Sequence, residues 1–162
     1  MHPLVLFKVL LLLMVANGTP VIAKRIFGAR FAQPLDGGLS FIDGRPLFGP
    51  SKTIRGVVLA VIATSIAAPV LGIDAAIGFV AAASAMAGDL VSSFIKRRLA
   101  LASSSRATGL DQIPESLFAL LACSGPLALS VADIVAGVAI FLAGEILLSR
   151  LLFQIRLRDR PY

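Results

Sequence analysis

The sequence predicts an all-α membrane protein with about five transmembrane helices. Hydrophobic residues make up 57% of the chain and charged residues only 15%, whereas charged residues are about 25% of a typical soluble domain. Five apolar stretches are each long enough, or nearly so, to form a helix across a bilayer. All Lys and Arg residues except Lys8 fall in three segments that separate or follow these stretches. A water-soluble globule is therefore excluded.

The five apolar stretches differ in how clearly each predicts a helix. They cover about Pro3–Ala23, Val57–Leu71, Ala75–Ile95, Ile113–Ser130 and Val131–Phe153. The first could instead be a secretory signal, but it continues to a basic stop at Lys24, which favours a transmembrane helix. The second is short and is expected to extend into Thr53–Gly56 or Gly72. Small residues along the third predict a central position, and Gly125 with Pro126 predicts a bend or break in the fourth.

The charge distribution predicts the orientation of these helices. Basic residues lie in segments 24–56, 96–106 and 150–160, which share one side of the membrane if there are five helices. Because basic loops stay in the cytoplasm, we expect the amino terminus outside and the carboxyl terminus inside. The chain is thus predicted to be a single domain, residues 1–162, in the cell membrane, with cytoplasmic loops at about 24–56 and 96–112. Asp74 and Asp133 would lie solvated at the outer ends.

The glycine- and proline-rich loop from 24 to 56 is the first candidate for a functional site. Its segment Gly44–Thr53 resembles a phosphate-binding P-loop, but two residues separate Gly49 from Lys52 and no strand precedes them, so a true P-loop is excluded. Lys52, Thr53 and Arg55 nevertheless form a compact set beside flexible backbone, able to hold phosphate oxygens. The simpler alternative is a basic loop next to the membrane.

A polar stripe on the third helix is the second candidate. Asp89, Ser92, Ser93 and Lys96 are spaced so that they share one helix face, with the acid inside the apolar stretch and the base near its end. A carboxylate in lipid costs about 2.5–3.5 kcal/mol, so Asp89 should face the protein interior with a cation or a metal as partner. In the simpler alternative, Asp89 pairs with Lys96 or Arg97 and only secures the helix end.

Asp111 lies just before the fourth apolar stretch and has two interpretations. It suits the N-cap of that helix, with Pro114 in the first turn and Glu115 favourable to the helix dipole. However, the loop after Lys96 is short enough to return Asp111 to the level of Asp89. Two carboxylates can hold a hard divalent ion that also binds substrate phosphates, and this is the interpretation that we prefer.

Two further titratable residues receive less weight. Glu145 lies inside the fifth apolar stretch, where a structural role is slightly favoured over a catalytic one. His2 is the only histidine and lies on the opposite side of the membrane, so neither a histidine base nor a zinc site is expected.

Several segments together resemble one protein family. They are Asn17–Pro20, Pro34–Asp36, Phe41–Arg45, Phe48–Gly56, Gly88–Arg98 and Leu110–Pro114. The family is the CDP-archaeol synthases, membrane cytidylyltransferases related to phosphatidate cytidylyltransferase. The sequence departs from the family pattern at Ile54, where an aromatic residue is expected, at Pro50 and Ser51 before the lysine, and at 103–105, where more glycine and proline is expected. These departures concern the identity of the lipid more than the reaction.

The resemblance implies a reaction and a set of site residues. CTP would react with a lipid phosphate, either an archaeal-type diether glycerol phosphate or a phosphatidate-like lipid, to give a CDP-lipid and pyrophosphate. The lipid phosphate itself would attack the α-phosphorus, so no catalytic serine or histidine is required. Asp89 and Asp111 would hold Mg²⁺, with Mn²⁺ as the alternative, and would act in catalysis together with Lys52 and Lys96. Phosphate and nucleotide binding would fall to Lys52, Thr53, Arg55, Ser93, Lys96 and Arg97.

Two other functions are kept as alternatives. A CDP-alcohol phosphotransferase is the nearest rival enzyme, but its D-G-x-x-A-R pattern fails because Leu47 and Phe48 stand at its last two positions, after Asp43 and Gly44. A small lipid transporter or membrane scaffold explains the helices and the charge but not the motifs. The expected partners are CTP, a lipid phosphate and the bilayer. Nucleic acid is not expected, and a homodimer is left open.

Overall fold

The computed structural model describes residues 2–103, 105 and 107–154, and these residues form a bundle of α-helices. The helices are α1 (Pro3–Phe27), α2 (Ile54–Val70), α3 (Ala75–Arg98), α4 (Gln112–Ser124) and α5 (Val131–Gln154). Extended structure in the described part of the chain is limited to two isolated antiparallel bridges, Pro34 with Thr53 and Ser40 with Pro46. The all-helical class predicted from the sequence is therefore confirmed.

The helices differ in whether their length suits a bilayer crossing. Within the described ranges, α1, α3 and the part of α5 up to Leu148 are long and apolar enough to cross a membrane, whereas α2 is apolar but has only 17 residues. α4 has 13 residues, and a crossing of the bilayer core takes about 20. The structure thus supports a membrane protein, while the crossing by all five helices and their orientation stay predictions.

Local chemistry explains several of the helix boundaries. α2 begins at Ile54 because Thr53 caps it, with Oγ1 accepting a hydrogen bond of 3.1 Å from the Gly56 amide. The expected extension of this helix beyond its apolar stretch is therefore confirmed. α4 ends at Ser124, immediately before Gly125 and Pro126, which confirms the predicted break, since proline cannot continue the hydrogen-bond ladder of a helix.

Helix α3 lies at the centre of the bundle, as its small residues predict. It packs against α1, α2 and α4. A Cβ at Gly78 would come within 2.6 Å of the Ala68 Cβ on α2, and one at Gly88 within 2.3 Å of the Pro114 carbonyl oxygen on α4. Only glycine fits at these two contacts, so α3 approaches both neighbours at backbone distance. The second contact brings the residue after Gly88, which is Asp89, next to the start of α4.

Asp133 is buried, and the prediction that it is solvated is wrong. Its side chain is 0% exposed. Oδ1 accepts a hydrogen bond from the His2 amide at 2.9 Å, and Oδ2 accepts from the amide and the hydroxyl of Ser130 at 3.0 and 2.6 Å. These donors stabilise the carboxylate away from water and tie the amino terminus to the start of α5. Asp74, in contrast, caps α3 by accepting from the Ala76 amide at 2.7 Å.

The opposite end of the bundle carries most of the cationic side chains among the described residues, and two connecting loops. We call it the basic end: α1 and α3 finish there, and α2 and α4 begin there. The last turn of α1 contains Lys24 and Arg25, and the last turn of α3 contains Lys96, Arg97 and Arg98. The first loop (28–53) joins α1 to α2, and the second loop (99–111) joins α3 to α4. The predicted site residues lie at this end.

Candidate active site at the basic end

Two lysine–aspartate ion pairs form the centre of the site. Lys52 Nζ lies 2.5 Å from Asp89 Oδ2, and Lys96 Nζ lies 2.7 Å from Asp111 Oδ1. All four side chains are between 8% and 24% exposed, so they are partly shielded but still accessible to a small ligand. The four residues predicted to act in catalysis therefore form two ion pairs, one between α3 and the first loop and one between α3 and the start of α4.

The partner of Asp89 differs from the simple alternative considered above. Asp89 pairs with Lys52 from the first loop, not with Lys96 or Arg97 of its own helix. Positions 89 and 96 are separated by about 10 Å along a helix axis, so a direct bond between them is unfavourable. Lys96 instead reaches Asp111 and donates to the Ser105 carbonyl at 3.0 Å. The expectation that Asp89 faces a cation within the protein is confirmed.

Asp111 stands at the N-cap position of α4 without capping it. Its backbone is already helical, and its side chain makes no capping hydrogen bond. Oδ2 accepts from the Ala107 amide at 3.1 Å, which closes a turn of the second loop, and Oδ1 faces Lys96. The carboxylate is thus turned toward α3, and Lys96 is the residue that joins the two helices. That Asp89 and Asp111 share one metal ion stays a prediction.

The polar stripe of α3 points into the protein along its length. Ser92 and Ser93 are buried, as are Lys96 and Arg97. The Ser92 hydroxyl donates to the Gly88 carbonyl at 3.0 Å, and Arg97 Nη2 donates to the Ala102 carbonyl at 2.7 Å. The predicted inward face is confirmed, while the binding roles assigned to Ser93 and Arg97 stay predictions.

Glu115 is an acidic residue of this region that the sequence analysis assigned only to the helix dipole. Its side chain is buried, and Oε1 has no hydrogen-bond partner within the part of the chain that the structure describes. Its carboxyl group lies within electrostatic range of Asp89, Asp111, Glu145 and Lys52. The spacing of four residues between Asp111 and Glu115 places both on one face of α4, and this is the signal in the sequence that could have identified it.

Asp36 organises the first loop around its buried carboxylate. The backbone amides of Gly38, Phe48 and Gly49 donate to it at 2.9–3.0 Å. Burial raises the pKa of the Asp36 carboxyl. The hydrogen bonds from the three backbone amides lower that pKa by more, so the net pKa lies below the ordinary value. Gly49 has φ +89° and faces the Ser103 hydroxyl, a conformation and a space that favour glycine. This turn precedes Lys52 and fixes its approach to Asp89.

Two arginines exchange hydrogen bonds between the first loop and the end of α3. Arg98 Nη2 donates to the carbonyls of Arg45 and Pro46 at 3.2 and 2.7 Å, and Arg45 Nη1 donates to the Arg98 carbonyl at 2.5 Å. The Arg98 guanidinium also lies 4.9 and 4.8 Å from the ring centres of Phe41 and Phe94. We call this contact the arginine clasp. It holds the loop against α3 and satisfies carbonyl groups at the helix end.

Thr53 and Arg55, predicted to bind phosphate beside Lys52, take part in local contacts. Thr53 caps α2, as described above. Arg55 donates to the carbonyls of Gly28 and Arg30 at the end of α1, and its guanidinium lies 5.7 Å from the Phe27 ring centre. It also lines an open cavity of about 660 Å³ between the first loop and α2. Their roles in phosphate binding stay predictions.

The oxygen ligands of the site fit a divalent ion that arrives with a substrate. In the described ranges, no group of three or more His, Cys, Asp or Glu side chains is close enough together to hold a metal alone. Mg²⁺ commonly takes only one or two carboxylates and fills its remaining positions with water and substrate phosphates. Asp89 and Asp111 are two carboxylates of the kind that such an ion uses, and their binding of one ion stays a prediction. Among the described residues, Asp111 Oδ1 is buried and has Lys96 as its ion-pair partner.

Comparisons with known proteins agree over nearly the whole chain. The family model described as CarS-like, CDP-archaeol synthase, matches residues 1–77 and 65–162. A CDP-archaeol synthase of Sulfurisphaera tokodaii is 34% identical over 98% of this chain and 96% of its own length. A CDP-archaeol synthase of Pyrobaculum calidifontis is 42% identical over 68% of both chains. A solved structure of an intramembrane enzyme for archaeal membrane lipids biosynthesis superposes with a TM-score of 0.73 at 32% identity, covering 86% of this chain and 89% of the other.

Proposed function

The chain belongs to the CDP-archaeol synthase family, and is therefore a CTP-dependent cytidylyltransferase, and we propose that it acts on the phosphate of an archaeol-type diether lipid. In the proposed reaction an oxygen of the lipid phosphate attacks the α-phosphorus of CTP. The bond between the α-phosphorus and the bridging oxygen of the β-phosphate breaks, and pyrophosphate leaves. The product is a CDP-lipid, and no covalent enzyme intermediate is needed.

The two lysine–aspartate pairs at the basic end are the observation that carries this proposal. The reaction brings two polyanions together, because each terminal phosphate carries about −1.5 to −2 charges near neutral pH. Ammonium groups that are positioned in advance lower the energy of such an encounter and of the negative charge that develops on the leaving group. Lys52 and Lys96 are held in place by their aspartates, and we assign them to the phosphate oxygens of CTP.

A divalent cation belongs to the same proposal. Asp89 and Asp111 would hold Mg²⁺, with Mn²⁺ as the alternative, because carboxylate oxygens are the ligands that both ions prefer. When bound, the ion would neutralise negative charge on the nucleotide phosphates. Ser93, Arg97, Thr53 and Arg55 are the further residues that we propose for nucleotide and phosphate binding.

We also propose that the basic end faces the cytoplasm. Basic residues favour that side of the membrane, and CTP is a cytoplasmic nucleotide. The lipid phosphate would then meet CTP at the membrane surface while its apolar chains stay beside the helices. The net charge of +6 would favour the approach of both anionic substrates.

The test is an assay of the purified protein in detergent with labelled CTP, Mg²⁺ and a panel of lipid phosphates. We expect labelled CDP-lipid and pyrophosphate with a diether lipid phosphate and less product with a diacyl phosphatidate. Equal or higher activity with phosphatidate would overturn the choice of lipid. Exchange of labelled CMP into a preformed CDP-lipid would instead support the phosphotransferase, and inactivity with every lipid would favour a transporter or scaffold.

Matched variants test the site itself. Asp89→Asn and Asp111→Asn should each lower turnover by about 100-fold or more, because each removes a carboxylate charge from the proposed metal site. Asp74→Asn is the matched control: it makes the same chemical change at the other end of α3, and asparagine caps a helix as well as aspartate does. Full activity of both site variants, with the control also active, would contradict the assignment.

A further inference from the structure

Glu115 is a buried carboxylate whose hydrogen-bonding capacity is only partly used. The residue is 6% exposed, and Oε1 has no hydrogen-bond partner among the described residues. A buried polar atom without a partner destabilises the state in which it is unpaired, so its presence calls for an explanation. Glu115 also has acidic neighbours, since its charge interacts with those of Asp89, Asp111 and Glu145. A cation beside this carboxyl group would therefore stabilise its ionised form.

Lys52 is a cation whose charge acts on the Glu115 carboxyl group. The contact between Gly88 and the backbone of Pro114 and Glu115 places Glu115 beside the residue that follows Gly88 on α3. That residue, Asp89, is the present partner of the Lys52 ammonium at 2.5 Å. Glu115 and Asp89 thus lie on either side of the contact between α3 and α4, and Asp89 is bonded to the Lys52 ammonium group.

A divalent ion bound by Asp89 would weaken the bond between Asp89 and Lys52. A divalent ion and an ammonium group repel each other, and both would occupy the oxygens of one carboxylate. The Lys52 side chain is long and flexible, and its ammonium group has three donors. It can therefore move a short distance to a second carboxylate while still donating to a phosphate oxygen.

We propose that Glu115 is the second acceptor for the Lys52 ammonium, and that Lys52 moves to it from Asp89 when Asp89 binds the metal and nucleotide. The inference rests on the proposed function for the event that releases Asp89, but not for the exchange itself. Glu115 acts here as a positioning residue. It keeps Lys52 at the nucleotide phosphates after the Asp89 bond is lost, and it gains the partner that Oε1 lacks.

The exchange can be tested without metal, nucleotide or turnover. Asp89→Asn removes the charge that holds Lys52, so in that background Lys52 should already be paired with Glu115. Thermal unfolding in detergent with a chelator is measured for the wild type, Glu115→Gln, Asp89→Asn and the double variant. We expect Glu115→Gln to leave the unfolding temperature of the wild type unchanged or slightly raised, and to lower that of Asp89→Asn by about 3 °C or more.

The control for this double-mutant comparison is Asp111→Asn, which removes the partner of Lys96 rather than that of Lys52. Glu115→Gln should have the same effect in the Asp111→Asn background as in the wild type. Glu115→Met removes the acceptor as well as the charge, and should show the same coupling to Asp89. Equal effects of the Glu115 substitutions in the wild-type and Asp89→Asn backgrounds would overturn the exchange.

A second experiment measures the equilibrium binding of CTP in the presence of Mg²⁺. Glu115→Gln should weaken this binding about tenfold in a protein that carries Lys52, and should have no effect in Lys52→Met. Weakening of equal size in Lys52→Met would show that Glu115 acts on the ligand directly and would overturn the positioning role. If the thermal coupling is present but the wild type does not bind CTP with Mg²⁺, the exchange stands and the proposed function fails.

Discussion

Replacement of Gly88 by alanine tests whether the contact between α3 and α4 sets the geometry of the site. An added Cβ would lie 2.3 Å from the Pro114 carbonyl oxygen, 2.6 Å from the Pro114 carbonyl carbon and 2.7 Å from the Glu115 Cα, whereas ordinary contacts begin at 3.4 Å. All three atoms belong to the backbone, so no side chain can rotate away. The start of α4 must therefore move by about 1 Å.

Two measurable effects follow from this displacement. Overpacking of a close contact destabilises a protein by about 1–3 kcal/mol, which corresponds to a fall in unfolding temperature of roughly 3–10 °C for a chain of this size. The same movement separates Asp89 from Asp111 and Glu115. A misplacement of about 1 Å at a reaction centre can lower turnover about 100-fold, so Gly88→Ala should lose most of its activity at temperatures where it is still folded.

Substitutions at two other glycines separate a general loss of stability from a displacement of the site. Gly78→Ala would place a Cβ 2.6 Å from Ala68 Cβ and 2.9 Å from the Thr64 carbonyl oxygen, but at a distance of about 15 Å from Gly88 along the helix. It should lower stability as much and turnover much less. Gly18→Ala meets nothing within 4 Å and lies inside α1, so it should leave turnover unchanged and should not lower the unfolding temperature, because alanine favours a helix over glycine. The reasoning is refuted if Gly88→Ala matches Gly18→Ala in both unfolding temperature and turnover.

Three further predictions concern the first loop. Because the pKa of Asp36 is lowered, its carboxylate contributes stability that is fully present above about pH 4 and is lost as the pH falls through the folded-state pKa. Thermal unfolding between about pH 2 and 6 should thus depend less on pH in Asp36→Asn than in the wild type. Identical pH profiles of the two proteins would contradict this. Arg98→Lys should loosen the arginine clasp, because an ammonium group cannot bond two carbonyls and stack on two rings at once. Steady-state kinetics should show that the KM for CTP rises about tenfold, while the unfolding temperature changes little. An unchanged KM would refute a role for the clasp in holding the site. Thr53→Ala should lower the free energy of unfolding by about 1 kcal/mol, because the α2 cap is lost, whereas Thr53→Ser keeps the cap and should not lower it. Equal stability of the two variants would show that the cap contributes nothing.

Residues whose environment depends on helical spacing were predictable from the sequence. The inward stripe of Ser92, Ser93 and Lys96 follows from the periodicity of α3, and the end of α4 follows from Gly125 and Pro126. Asp133 could not be assigned in the same way, because its donors come from Ser130 nearby and from His2, which is 131 residues away in the chain. A local pattern cannot indicate a donor at that separation.

The sequence by itself determined that this chain is a helical membrane protein, where its helices begin and end to within a few residues, and which end carries the cations. Those properties depend on the length of apolar runs, on caps and on local charge, all of which act within one or two turns of the chain. Only the tertiary structure decided that Lys52 pairs with Asp89 across 37 residues, that Lys96 pairs with Asp111, and that Glu115 is buried beside them. An ion pair depends on the distance between charges in space, and that distance is set by how closely α3 approaches α4 and by the path of the first loop.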